Sequence, residues 1–315
     1  MVKNALDSLK IVTKIVVDSS DFKSIGRFQS QDATTNPSLI IKSAKDDNYK
    51  DFITIVSKKF NSLPPNDRAR EIIVSFAQEI LRVIPGRVSI EVDASLAFNT
   101  EQTELAGKKI IESCAYRGIP LERILIKIPA TWEGVVAASK LQKQGINCNL
   151  TLLFSEVQAF ACADAGATLI SPFVGRISDW WKSKGKKWNI VDDDPGVEFV
   201  RSVFCKFKRK KYKTEVMGAS FRSIEQIFSL SGLDLLTISP NFLGLLEELP
   251  PQKNLGSWIK NCYSEKFNFN VETDSNNFSK DIFLNLLTQN EMANEKLKEG
   301  IFTFDKDGKT LLDIA

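Results

Sequence analysis

The chain has 315 residues, 43% apolar and 26% charged, a balance typical of globular proteins that build a sizeable core. Its net charge of +3 gives no global field to attract nucleic acid or a membrane surface, so neither is an expected partner. Histidine is absent, which excludes histidine triads, histidine-zinc sites and imidazole acid-base chemistry, and leaves proton transfer to carboxylates, Lys, Tyr, Cys or water.

Taken in chain order, the opening Met1-Val2-Lys3-Asn4-Ala5-Leu6-Asp7 lacks the apolar core of a signal peptide, and no later run reaches membrane-spanning length. Short apolar runs read as strands occur at 12–18, 28–32, 88–93, 124–128, 147–152, 168–172, 214–218 and 235–239. Helical periodicity fills 67–83, 100–116, 131–144, 156–165 and 197–207. Eight strands alternating with helices predict an α/β fold, a (β/α)₈ TIM-type barrel formed as one domain over residues 1–315. The helix at 67–83 is an extra layer. After a polar stretch at 265–280, a last helix is expected at 291–300.

The five cysteines, Cys114, Cys148, Cys162, Cys205 and Cys262, are odd in number and scattered. They read as buried or idle thiols of a reducing compartment, with a cytoplasmic location expected. The run Lys206–Lys213 (KFKRKKYK) offers a phosphate-backbone patch or, more simply, the solvated end of an outer helix. Asp192-Asp193-Asp194 precedes Pro195-Gly196 and fits a loop entering a helix better than a metal site. Thr303 stands where a P-loop ending at Asp307-Gly308-Lys309-Thr310 needs glycine, and where a calcium loop needs its first acid. The sequon Asn149-Leu150-Thr151 falls in a strand expected to be buried. No GxGxxG comes after a strand, which argues against a nicotinamide cofactor.

Polar residues interrupt the apolar strands. Lys127 sits inside Ile124-Leu125-Ile126-Lys127-Ile128-Pro129. Two readings are open: a buried amine whose charge is disfavoured and which attacks carbonyl carbons, or a strand-end lysine snorkelling to water. Glu91 and Asp93 share one face of their strand, as do Asn149 and Thr151. Asp18 ends the first strand, Ser171 and Arg176 mark the end of the sixth, and Ser220 and Arg222 that of the seventh. All these polar groups fall at C-terminal strand ends, the face where a barrel gathers catalytic groups. Arginine forks beside serine suit a phosphate.

Several segments resemble the transaldolase family. They are Asp32-Ala33-Thr34-Thr35-Asn36-Pro37-Ser38-Leu39, then Ile124–Lys127 with Thr131-Trp132-Glu133-Gly134, then residues 146–155, Leu169–Arg176 and Met217–Arg222. The resemblance runs from about residue 5 to 300. It implies that Lys127 forms a Schiff base with a ketose, and that Asp18 is the acid-base on the C4 hydroxyl. It implies further that Glu91 and Thr151 hold a proton-shuttling water, and that Asn36, Asn149 and Ser171 bind the dihydroxyacetone unit. Arg176, Ser220 and Arg222 would bind phosphate. No metal or organic cofactor is implied, the partners would be sugar phosphates, and members of this length are often homodimers. The last helix would pack near the active-site mouth. Pro129, Ser95, Leu287-Thr288 and Phe302 depart from the residues usual in the family.

The activity implied is transfer of a dihydroxyacetone unit. The donor is sedoheptulose 7-phosphate or fructose 6-phosphate. The acceptor is glyceraldehyde 3-phosphate or erythrose 4-phosphate, as in the non-oxidative pentose phosphate pathway. The alternatives are a Schiff-base fructose-6-phosphate aldolase on the same barrel, or a non-catalytic binder using Lys206–Lys213.

Overall fold

The computed structural model describes residues 2–263 and 278–314. Helix α1 (Ala5–Val12) leads into β1 (Lys14–Asp18) and β2 (Asp32–Thr34), and then α2 (Pro37–Ala44), α3 (Lys50–Lys59) and α4 (Pro65–Val83). The next units are β3 (Val88–Glu91), α5 (Thr100–Tyr116), β4 (Ile124–Pro129), α6 (Trp132–Lys143), β5 (Cys148–Leu153) and α7 (Glu156–Asp164). Then come β6 (Leu169–Pro172), α8 (Val174–Ser183), α9 (Pro195–Lys210), β7 (Glu215–Gly218), α10 (Ile224–Ser229), β8 (Leu235–Ile238) and α11 (Pro240–Glu248). The chain finishes with α12 (Lys280–Gln289) and α13 (Glu291–Ile314).

The strands form one closed parallel barrel in sequence order, β8 pairing back to β1, as the strand count predicts. Inside it, Val16, Leu125, Leu169, Met217 and Leu235 make a dry layer, none more than 1% exposed. Side chains alternate along a strand, so the residue two further on from each returns to the interior one level higher. That step gives Asp18, Lys127, Ser171, Ala219 and Thr237. The layer at the barrel's mouth is therefore the next turn of the same packing. At the opposite end Arg87 donates to both Asp32 and Glu215, and Lys14 also meets Glu215. These ion pairs link the N-terminal ends of β1, β2, β3 and β7. Asp32 thus serves the barrel floor.

Three expectations change. The run from Phe28 is not a strand: Ile25–Phe28 forms a 3-10 turn, Gln29 is left-handed, and β2 starts only at Asp32. Val12 ends a helix that the apolar run through 12–18 hides. The last helix continues well past Gly300 to Ile314, so both loop motifs around Asp307 are helical. The polar stretch at 265–280 lies mostly outside the described residues.

Cysteine usage needs correction too. Cys205 on α9 and Cys262 are joined in a disulfide across 57 residues of sequence, which scattered spacing could not reveal. Cys114, Cys148 and Cys162 are buried free thiols, and burial pushes Cys114 and Cys148 up to about 12, so they are inert. The basic run is spent locally: Lys206 pairs with Glu156 and Lys208 with Asp234. Asp192 pairs with Arg201, and Asp194 caps α9 by accepting from Gly196.

The strand that carries Lys127 is locked by the turn at its C-terminal end. Thr131 caps α6 by accepting from the Gly134 amide at 2.9 Å, turning the chain sharply over the end of β4. A Cβ on Gly134 would lie 2.1 Å from the Pro129 carbonyl oxygen. Gly134→Ala is expected to destabilise the fold by about 2 kcal/mol and to lower activity through displacement of β4, read by urea unfolding beside turnover.

Candidate functional site

A cavity of about 230 Å³ opens at the C-terminal ends of the strands. Its wall includes Asp18, Asn36, Lys127, Thr151, Ser171, Arg176, Ser220 and Arg222, eight of the ten residues singled out from sequence. Strand register explains the meeting. Lys127 on β4 is level with Glu91 on β3 and Asn149 on β5, and Asp18 on β1 is level with Thr34 on β2.

Lys127 is 4% exposed, so its amine is buried, not snorkelling. Nor is it alone. Nζ donates to the Thr35 carbonyl at 3.0 Å and lies 2.9 Å from Glu91 Oε2. Glu91 Oε2 is thus held by the Lys127 amine, while Glu91 Oε1 and Thr151 Oγ1 are buried with no partner of their own. Such orphaned buried acceptors and hydroxyls suit a bound water.

Two carboxyls flank the amine, and both are held above the ordinary carboxylate range. For each, burial is the largest cause and the Lys127 charge opposes it. At Asp18 the hydrogen bond donated by Thr34, 2.8 Å, also opposes the shift. At Glu91 the Asp18 charge adds to it. Thr34 in turn shares a short hydrogen bond with Thr237, tying β1, β2 and β8 behind Asp18.

The phosphate-type end is built from backbone. At the start of α8 the Val174 and Gly175 amides donate to the Ala219 and Ser220 carbonyls, 2.9 Å each. A Cβ on Gly175 would meet the Ser220 oxygen at 2.2 Å, so only glycine lets α8 close on the loop after β7. Ser220 itself is left-handed. This clamp brings Arg176 and Arg222 to one side of the cavity. Arg222 bonds Asp179 through Nε and Nη2 and donates to Ser220 Oγ. Arg176 makes no ion pair among the described residues; its guanidinium stacks between the rings of Phe173 and Phe304. Burial and the neighbouring Arg222 charge both push its pKa down, as expected for a cation set to receive an anion.

Two of the ten residues stand back from the cavity. Asn149 is fully buried behind Ser171, accepting from its hydroxyl at 2.6 Å and donating to Ser89. Glu91 reaches the cavity only through Lys127. Asn36 lines the cavity while its side chain caps α2 by accepting from Leu39. Asp93, paired with Glu91 by alternation, lies beyond the end of β3 and caps the turn at Ser95. Phe173, Phe242, Phe304, Thr34, Thr237, Ser239 and Asp179 escape sequence reading. Of these, Thr34 and Phe173 lie inside the family segments 32–39 and 169–176, the one signal in the sequence that points to them.

The family model for transaldolase/fructose-6-phosphate aldolase matches residues 15–314. The chain belongs to that family. It is similar to the transaldolase of Prochlorococcus marinus (strain MIT 9312), 48% identical over an alignment of 315 positions covering 96% of this chain and 92% of that protein. Family membership accords with the barrel. Among the described residues no helix is long and apolar enough to cross a membrane.

Asp18 gives a pH-dependent test of this electrostatic layout. Its raised pKa means the folded chain binds more protons than the unfolded one above the ordinary carboxylate range. Wild-type stability therefore falls as pH rises through that window. Asp18→Asn removes this slope and is expected to stabilise the chain by ~1 kcal/mol at pH 8, and less at pH 5, while abolishing turnover. Urea unfolding at the two pH values checks it.

Proposed function

We propose that this chain is a transaldolase, moving a dihydroxyacetone unit from a ketose phosphate to an aldose phosphate through a Schiff base on Lys127. The observation that carries this reading is a buried amine set between two carboxyls with raised pKa values, in a cavity whose far wall holds an arginine without a counter-ion among the described residues.

The chemistry arises from those groups. Lys127 must lose a proton before its nitrogen attacks the ketose C2 carbonyl. Glu91 is 2.9 Å away and its burial makes it a better proton acceptor than an ordinary carboxylate. A water held by Glu91 and Thr151 would carry protons as the carbinolamine loses water to give the imine. Asp18, across the amine and open to the cavity, then takes the C4 hydroxyl proton. The C3–C4 bond breaks, its electrons pass to the protonated imine, and the aldose phosphate departs. The enamine left on Lys127 attacks the aldehyde of the acceptor, and the steps run in reverse with Asp18 returning the proton.

Ser171 would bind the donor's hydroxyls, and Asn149 would act by fixing the Ser171 hydroxyl. Arg176, Arg222 and Ser220 would hold the phosphate, with the uncompensated Arg176 contributing the larger part. We infer the fructose 6-phosphate and sedoheptulose 7-phosphate donors and the erythrose 4-phosphate and glyceraldehyde 3-phosphate acceptors from family membership and this charge layout. The same reading carries a cytoplasmic setting, where such sugar phosphates are metabolised.

Incubation with fructose 6-phosphate, borohydride reduction and peptide mass spectrometry should find a reduced dihydroxyacetone adduct on Lys127. Folded protein without that adduct would sink the proposal. Arg176→Ala is expected to raise KM for the phosphorylated donor by roughly 100-fold, since a charge-assisted pair is worth about 3 kcal/mol, with little change in thermal stability. Steady-state kinetics over a range of donor concentrations provide the check.

A further inference from the structure

A second cavity, of about 260 Å³, lies on the other side of Phe304 from the substrate cavity. It is enclosed by α4, α5, the turn after β3, and α13. Among the described residues, Phe304 is the single one that lines both cavities. Its ring is 3% exposed and stands 6.0 Å from Lys127 Nζ and 5.5 Å from Arg176 Cζ, measured to the ring centre. Glu91 lines the second cavity and not the first. The 2.9 Å contact between Lys127 and Glu91 thus lies at the boundary between the two compartments.

Resting on the transfer reading above, we propose that the second cavity is a water chamber, and that Phe304 is the specificity-determining partition keeping this water from the Lys127-bound enamine. Three observations support it. Phe304 is buried and is the one described residue lining both cavities, so its ring is the wall between them. The volume holds several waters, each needing about 30 Å³. Asp67, Arg70, Gln102 and Lys109 give the chamber a polar rim.

The partition matters because the enamine has two fates. Attack by its nucleophilic carbon on an acceptor aldehyde forms a C–C bond and completes transfer. If that carbon instead gains a proton from water, a C–H bond forms and the iminium returns. Hydroxide or water then adds at C2, the C–N bond breaks, and dihydroxyacetone leaves with the oxygen of water, restoring the Lys127 amine. No electron donor or acceptor is needed. An aromatic ring across the face of the amine disfavours the second fate by excluding water.

The C-terminal helix offers a control. Gly308, one turn beyond Phe304 on the same face of α13, also lines the second cavity. A Cβ there would meet only Asp93 Oδ1, at 3.7 Å, so a larger side chain has space to fill the chamber without entering the substrate cavity.

The test uses the full chain with fructose 6-phosphate. It measures the ratio of dihydroxyacetone released to water against product formed with erythrose 4-phosphate. Phe304→Ala is expected to raise the ratio roughly tenfold, and Gly308→Leu to lower it. In D₂O, Phe304→Ala should also incorporate deuterium into the released dihydroxyacetone faster than wild type. Borohydride trapping on Lys127 is run alongside. If wild type and Phe304→Ala both trap an adduct but the ratio is unchanged, the partition is overturned and the Schiff base stands. If wild type traps nothing, the transfer reading falls. If Phe304→Ala does not fold, Gly308→Leu decides alone, and an unchanged ratio in it overturns the proposal.

Discussion

The site depends on a charge placed where charges are expensive. Lys127 and Glu91 face each other inside the barrel with side chains 5% and 2% exposed. A buried pair of this kind adds little net stability, because desolvation offsets most of the attraction, while loss of either partner strands the other. The pair therefore obliges the surroundings to compensate. The Thr35 carbonyl accepts a hydrogen bond from the Lys127 amine, Asp18 supplies a second negative charge to the field, and Thr34 with Thr237 holds Asp18 in place. Burial raises both carboxyls above their ordinary range, which makes each a better proton acceptor than an exposed carboxylate.

Holding those groups at the mouth requires backbone that regular strands do not supply. Leu152 adopts a left-handed conformation where β5 and β6 shift register, an unusual state for a branched side chain. The surrounding structure over-determines it. Gln158, fully buried, donates to the Leu152 and Ala130 carbonyls and accepts from the Phe154 amide, joining the ends of β4 and β5 through one side chain. The irregularity lies directly beside Thr151. Ser220 plays a similar part after β7, where its carbonyl receives the Gly175 amide that starts α8. Leu152 and Ser220 thus place left-handed backbone on both sides of the cavity, while the barrel floor is ion-paired.

The C-terminal helix closes the arrangement. Gly300, Phe304 and Gly308 recur at four-residue intervals and share the face of α13 turned to the barrel. Gly300 comes so near that an added Cβ would lie 2.6 Å from Leu152 Cδ2. That close approach sets the Phe304 ring over both Lys127 and Arg176. Ser38 hydrogen-bonds Asp307, fastening α13 to α2 just after the Asn36 cap. The Phe302 departure points away, 70% exposed, whereas Ser95 lies at the second cavity.

What the sequence determined by itself is the part governed by period. Apolar runs of strand length, spaced by helical stretches, predict eight parallel strands, and Asp18 and Ser171 are polar residues at strand C-termini, the face where a barrel gathers catalytic groups. The family segments then supply roles for them. Tertiary structure alone decided whatever depends on distance through space. The disulfide between Cys205 and Cys262 joins residues 57 apart, and no local rule links them. Asn149 and Thr151 look equivalent by alternation, but Asn149 lies two residues deeper in β5, buried behind Ser171, while Thr151 reaches the cavity. Gly300 reads as a helix stop, because glycine favours C-termini. Packing on Leu152 overrides that preference and lets the helix run on to Ile314. Phe304, one aromatic in an amphipathic helix, carries no local mark of function; its place between two cavities arises only when α13 folds back over the barrel's mouth.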